Sequence, residues 1–182
     1  MTPSLPVVVS VNLSDGGIPK GPVSVGTVVS GGLSGDAHDH EKHNTPLQAL
    51  SLIDLEDLDA LRGEGFDVFP GATGENLTVA GLDVDSLAVG DRLLFSGGVI
   101  AELTKIRKPC FVLDTIDPHL KEEIVGRCGM YAKVVNQGRL RAGETIQVTT
   151  GHTKEDGPGT VAGPIRYPVV DSSEKESSLA KS

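Results

Sequence analysis

Tryptophan is absent from this 182-residue chain, and aromatic residues of every kind make up only 3% of it. The core must therefore be assembled from Val, Leu, Ile and Ala. Cysteine is almost as scarce: Cys110 and Cys128 are the whole supply. Two are too few for a disulfide framework, so a reducing, cytoplasmic setting is expected. Basic residues are outnumbered 16 to 25 by acidic ones, giving a net charge of −9. That balance disfavours nonspecific binding to nucleic acid or to an anionic membrane surface. No apolar run approaches the roughly 20 residues of a membrane span. The opening "MTPSLPVVVSVNLSDGG" has neither the basic start nor the apolar centre of a signal peptide.

What the chain has in plenty is turn formers, 23 glycines and 11 prolines. Between them recur short β-branched runs: Val7 to Val11, Val23 to Val29, Leu77 to Val79, Leu93 to Phe95, Val99 to Ile106, Tyr131 to Val135 and Thr145 to Thr149. Ser96-Gly97-Gly98 and Arg141-Ala142-Gly143 read as turns between strands. The pattern predicts an all-β protein, mainly β with a few short helices, as a barrel or sandwich. One helix is expected from an Asp54 cap through Arg62, stopped by Gly63. A second is expected to open at Asp117-Pro118 and end at Gly126. Residues 1–150 form the expected domain, and the polar stretch 151–182 reads as a flexible tail. With so few aromatics, a homodimer that covers an edge strand is one expected assembly.

Three features carry chemistry. The first is "GLSGDAHDHEKH", where His38, His40 and His43 fall within six residues beside three carboxylates. The histidine spacing is that of a metallo-β-lactamase-like H-x-H-x-D-H element, but Lys42 stands where that element has its aspartate. An ammonium there repels a cation, so zinc is disfavoured, although three imidazoles remain a possible ligand set. The second feature is "KIRKPCFVLD", in which Cys110 follows a strand, Arg107, Lys108 and a strand-ending Pro109. Neighbouring cations favour a thiolate, which binds a soft metal, carries a persulfide sulfur or attacks an electrophile. Packing as a small hydrophobe is the competing reading, and it is the favoured one for Cys128. The third is "FPGATGENLTV". Gly71 and Gly74 permit positive φ, so backbone N–H groups there are candidates to converge on an anion, with Glu75 and Asn76 adding polar groups.

In order and spacing, "SVNLSDGGIPKGPV", "GLSGD", "PGATGENLTVAGLDVDSLAVGDRLLF", the Pro109-Cys110 pair and "GMYAKVVNQGRLRAGETI" resemble the MOSC domain. That family is named for the C-terminal part of molybdenum cofactor sulfurases. The resemblance spans about residues 5 to 150 and implies a MOSC-type β-barrel that binds, carries or uses the molybdenum cofactor. It maps the family's reactive cysteine onto Cys110 as sulfur carrier or molybdenum ligand. His43 stands where many relatives carry a histidine before two glycines, but Asn44-Thr45 replaces those glycines. The implied site has Cys110, His43 and His38 as catalytic groups. Asp36, Gly74, Glu75, Asn76, Arg107 and Lys108 are the implied cofactor-binding groups. One implied activity is reduction of N-hydroxylated small molecules, with electrons from a redox partner. Another is sulfur carriage, loaded by a partner cysteine desulfurase that would supply the pyridoxal phosphate. A third is C–S bond chemistry on a small thiol, which uses the same residues.

Overall fold

The structure is a computed structural model, and it describes residues 4–37 and 45–151. The cluster His38, His40 and His43 lies outside the described residues, as does the expected tail beyond Gly151.

The expected mainly-β class is observed. Among the described residues, eleven strands are β1 (Val7–Leu13), β2 (Gly21–Val23), β3 (Gly26–Val29), β4 (Gly32–Leu33), β5 (Leu50–Asp54), β6 (Leu77–Ala80), β7 (Arg92–Phe95), β8 (Ile100–Ile106), β9 (Met130–Asn136), β10 (Gly138–Leu140) and β11 (Ile146–Thr149). Eight of them form one sheet in the order β11-β7-β8-β9-β5-β6-β1-β2, and β10-β3-β4 form a second. Alternation drives the pattern: in β8, Ala101 and Leu103 point into the core while Ile100 and Glu102 face partly outward.

The expected closed barrel is not a continuous ladder. The strand order is open, because β2 occupies the free side of β1 at Val11, Asn12 and Leu13. Only the start of β1 remains for the far end of the sheet, and one bridge, Val7 to Thr145, uses it. Hydrogen bonds from Val8 N to Glu144 O (2.9 Å) and from Gly143 N to Val8 O (2.8 Å) complete that tie.

β5 and β6 pair in parallel, which needs a crossover, and α1 (Leu55–Gly63) lies in it. Asp54 holds the cap position, but its carboxylate turns away to accept from Val84 N (2.5 Å) and Asp83 N (3.1 Å). The second helix is shorter than expected. A 3-10 turn, Phe111–Thr115, precedes α2 (Leu120–Glu123), and Asp117 accepts the His119 N–H instead of capping the helix. Two apolar clusters result. The larger lies between the sheets, around Val11, Leu50, Leu77, Leu93, Leu103 and Met130. The smaller gathers Ile53, Leu58, Leu61, Leu113, Leu120, Ile124 and Cys128 under the helices. No helix among the described residues is long and apolar enough to cross a membrane.

Candidate functional site

A cavity of about 240 Å³ opens where the end of β8, the start of β6 and the turn before β2 converge. Its lining includes Cys110, Arg107, Lys108, Gly74 and Asn76, so five of the seven described residues among the implied catalytic and cofactor-binding groups reach one space. Asp36 and Glu75 are the exceptions.

The wall built from β5, β6 and the early turns is interlocked. Asn76 Oδ1 accepts from Ser51 N and Ser51 Oγ (both 3.2 Å), while its Nδ2 donates to Asp36 Oδ2 (2.8 Å) and Asn12 O (3.3 Å). Asp36 Oδ2 also takes the ammonium of Lys20, and Asp36 Oδ1 accepts from Ser14 N (3.0 Å). Both side chains of that ion pair are buried, 8% and 2% exposed. Lys20 faces the cavity, whereas Asp36 stands behind it and fixes Lys20 and Asn76 together. Lys20, Ser51 and Thr73 also line the site and were not read from the sequence. For Lys20 the one signal was a lone lysine inside the glycine- and proline-rich "DGGIPKGP".

The glycine loop has the backbone expected of it, with φ of +90° at Gly71 and +85° at Gly74. Its polar groups, however, turn inward. Glu75 is fully buried and accepts from Gly71 N (2.5 Å), Thr73 Oγ1 (2.8 Å) and Thr78 Oγ1 (2.9 Å). The anion that this loop cradles is thus the chain's own carboxylate, and Glu75 shapes the loop instead of facing the cavity.

The opposite wall runs from Arg107 to Leu113. Arg107 Nη1 donates to Cys128 O (2.9 Å), Nη2 donates to Thr73 O (3.0 Å), and the guanidinium lies 5.7 Å from the Tyr131 ring centroid. The cation is thereby pinned across the cavity from one wall to the other. Cys110 is half-buried at the start of the Phe111–Thr115 turn, where its carbonyl accepts from Leu113 N (3.0 Å). Cys128 shares the cavity, but its Sγ donates to Ile124 O (3.3 Å) and burial pushes its thiol pKa up. Its sulfur packs within the smaller apolar cluster, the packing role that the sequence favoured for it.

Behind Cys128 sits an acidic cluster, with oxygens of Asp54, Asp57 and Asp85 all within 4.8 Å of one another. Asp85 accepts from Gly129 N with both oxygens (3.2 and 3.1 Å). Burial first, then the neighbouring carboxylates, raise Asp54 to about 7 and Asp57 to about 6; burial raises Asp85 as well. These groups hold protons where isolated carboxyls would have lost them.

The MOSC domain family model matches residues 39–147, more than half of the chain. This chain belongs to the MOSC domain family. Among curated proteins, a "Reductase" from Gibberella moniliformis is 28% identical over 127 residues, 64% of this chain. The "Uncharacterized protein YflK" of Bacillus subtilis is 32% identical over 81 residues, 42% of this chain. The matches span only 22% and 36% of those relatives' own lengths. Among solved structures, the Bacillus subtilis YuaD protein matches with a TM-score of 0.66 at 20% identity, covering 79% of this chain and 96% of that one. YiiM from Geobacillus stearothermophilus also gives 0.66, at 23% identity, over 79% and 75%. At such identities the structural likeness establishes the fold of this MOSC domain.

Proposed function

We propose that this MOSC domain holds the molybdenum cofactor in the Cys110 cavity and reduces the N–O bond of small N-hydroxylated molecules. The observation that carries the reading is convergence: a half-buried thiol and the cations Arg107 and Lys108 line one cavity, beside a Lys20 already paired with Asp36. That donor set fits the group. A soft sulfur suits molybdenum, and cationic side chains suit the pterin phosphate. When bound, the cofactor would supply the two electrons for R–NHOH + 2 H⁺ + 2 e⁻ → R–NH₂ + H₂O.

The chain's own residues do the remainder. Cys110 would hold the metal, its place at the cavity wall set by the turn that its carbonyl caps. Arg107 and Lys108 neutralise an anion, and Arg107 does so from a fixed position because two backbone carbonyls orient it. Asp36 positions Lys20 and Asn76 and does not itself touch the ligand. His38 and His43 are the groups suited to proton delivery near neutral pH. The relative called "Reductase" supports the direction of the chemistry, and a reducing, cytoplasmic setting suits a working thiol.

A second reading makes Cys110 a persulfide carrier loaded by a pyridoxal-phosphate-dependent cysteine desulfurase. The presence of a second thiol, Cys128, in the same cavity favours it. Elemental analysis of gently purified protein, with a fluorescence assay for oxidised pterin, separates the two. Stoichiometric molybdenum and pterin, lost in Cys110→Ser without loss of fold, are expected. Protein from a cofactor-competent host that carries neither, yet gains one sulfur on Cys110 from a desulfurase and cysteine, overturns the reductase in favour of the carrier.

A further inference from the structure

We propose that residues 161–170 of this chain, "VAGPIRYPVV", dock over the mouth of the Cys110 cavity, an inference that stands whatever the cavity holds. The stretch lies beyond the described residues, inside a region that is polar on the whole, and its composition sets it apart. Arg166 is its one charged residue, while Ile165, Tyr167 and three valines supply apolar bulk. Before it come Glu155-Asp156 and Gly157-Pro158-Gly159; after it come Asp171, Glu174 and Glu176 around a single lysine, Lys175. An apolar segment with an aromatic anchor gains by burying itself on an apolar surface.

The mouth offers such a surface. Ile106 is 56% exposed, Phe111 66% and Leu47 59%. Phe111 lines the cavity, as does Gln48, the neighbour of Leu47. Thr104 Oγ1 donates to Leu47 O and so holds the Pro46–Gln48 turn beside β8, and Ile106 ends that strand just before Arg107. Lys105 and Lys108 are exposed in the same region, and neither has a carboxylate within ion-pair distance among the described residues. Their charge suits the acidic residues that flank 161–170 on both sides.

The path of the chain favours this occupant. Gly151 N donates to Asp91 Oδ1 (3.1 Å), Leu103 N to Asp91 O (2.8 Å) and Gly90 N to Leu103 O (2.7 Å). The described chain therefore ends beside Leu103, and the backbone from there to Arg107 covers only about 13 Å. Residues 152–159, when extended, span up to about 26 Å, which is enough to bring 161–170 to the mouth. Pro164 and Pro168 disfavour addition as a strand to a sheet edge, whereas proline-bearing segments pack well against an exposed aromatic ring such as Phe111. A second apolar groove, with Pro19, Pro22, Phe69 and Pro70, lies beside Val9. Val8 N donates to Glu144 O (2.9 Å) and Ile146 N to Pro6 O (2.8 Å), so the chain from Ile146 onward runs past the start of β1, away from Val9. Residues 38–44 adjoin the mouth at Ala37, but they contain no apolar side chain to cover it.

The test is hydrogen exchange, read by mass spectrometry, on the full chain and on its variant Ile165→Asp with Tyr167→Asp. In that variant residues 104–112 and 46–50 should exchange faster, and iodoacetamide should alkylate Cys110 about threefold faster or more. Lys105→Glu with Ile106→Ser should in turn speed exchange within 161–170, with melting temperatures confirming the fold of both variants. Exchange and alkylation unchanged in both variants overturn the proposal. So does a change centred on residues 19–22 and 69–70, which would put the segment in the other groove. Protection lost on about hundredfold dilution overturns it as well, because the occupant would then be a second copy. None of these readouts uses molybdenum or turnover. A failed docking and a failed cofactor reading therefore appear in different measurements.

Discussion

The two walls of the cavity are built on opposite principles. On one side Lys20, Asp36, Asn76 and Ser51 are buried, and each bonds at least one of the others. On the other, the chain from Arg107 to Phe111 belongs to no strand, Cys110 is half-buried and Lys108 and Phe111 are exposed. A buried polar network fixes geometry when every member is satisfied. No buried side-chain nitrogen or oxygen among the described residues lacks a partner. The interlocked wall therefore sets the shape of the site, and the open wall presents the reactive group and its access.

Substitutions that separate shape from reactivity sharpen this contrast. Asp36→Ala should have the largest effect on stability, because it strands the buried Lys20 ammonium and frees Asn76. Breaking a buried pair by removing one partner costs roughly 3 to 5 kcal/mol. Cys110→Ser should change stability by less than about 1 kcal/mol, since it alters one atom of a half-buried side chain. Chemical denaturation of both variants is the check. Equal losses would mean that Cys110 is a packing residue and that the walls do not divide the work.

Gly71→Ala comes next. A Cβ at Gly71 would lie 2.1 Å from the carbonyl oxygen of Lys20, at a φ of +90° that side chains disfavour. The expected cost is about 2 to 3 kcal/mol, because both backbones must shift. Gly35→Ala is the matched control: its φ is +87°, but nothing lies within 4 Å of the added atom. Its cost should be limited to conformational strain, about 1 kcal/mol. Similar losses in the two variants would show that torsional strain, not the close approach to Lys20, dominates at Gly71.

The sequence showed the open wall better than the locked one, for physical reasons. Cys110 beside Arg107, Lys108 and Pro109 is a local signal, readable within four residues. The Lys20–Asp36–Asn76 network joins positions 16 and 40 residues apart, and no periodicity announces it. β5 escaped notice for a related reason: all five of its residues are buried, so no alternation marks it as a strand. The Phe69–Val79 loop was legible in backbone but not in purpose. Gly71 and Gly74 showed where φ would be positive, yet only the fold shows Glu75 folding back to take the loop's own N–H group. The open order of the large sheet was equally hidden, because it depends on β2 claiming one side of β1.

The smallest expected effect concerns the charges at the two walls. Within the locked wall a lysine and an aspartate neutralise each other, whereas behind Cys128 and Gly129 three carboxylates crowd together. Asp57 is raised to about 6 by burial first and then by Asp85, with Asp83 and Glu56 adding to the rise and Arg127 opposing it. Asp54, at about 7, is raised by burial with Asp57 and Glu56. Acids with raised values bind protons more tightly folded than unfolded. Their contribution is therefore complete below about pH 4 and is lost as pH climbs through about 6 to 7. Asp57→Asn removes one of the crowded charges, so it should raise the melting temperature by a few degrees at pH 8. At pH 5 the gain should be smaller, and it should shrink towards zero only below about pH 4, where the carboxyl is protonated in the folded and the unfolded chain alike. A gain equal at both values would mean that the amide improves packing. A loss at pH 8 would show that Arg127, already paired with Glu64 at 2.7 Å, outweighs the repulsion among the three carboxylates.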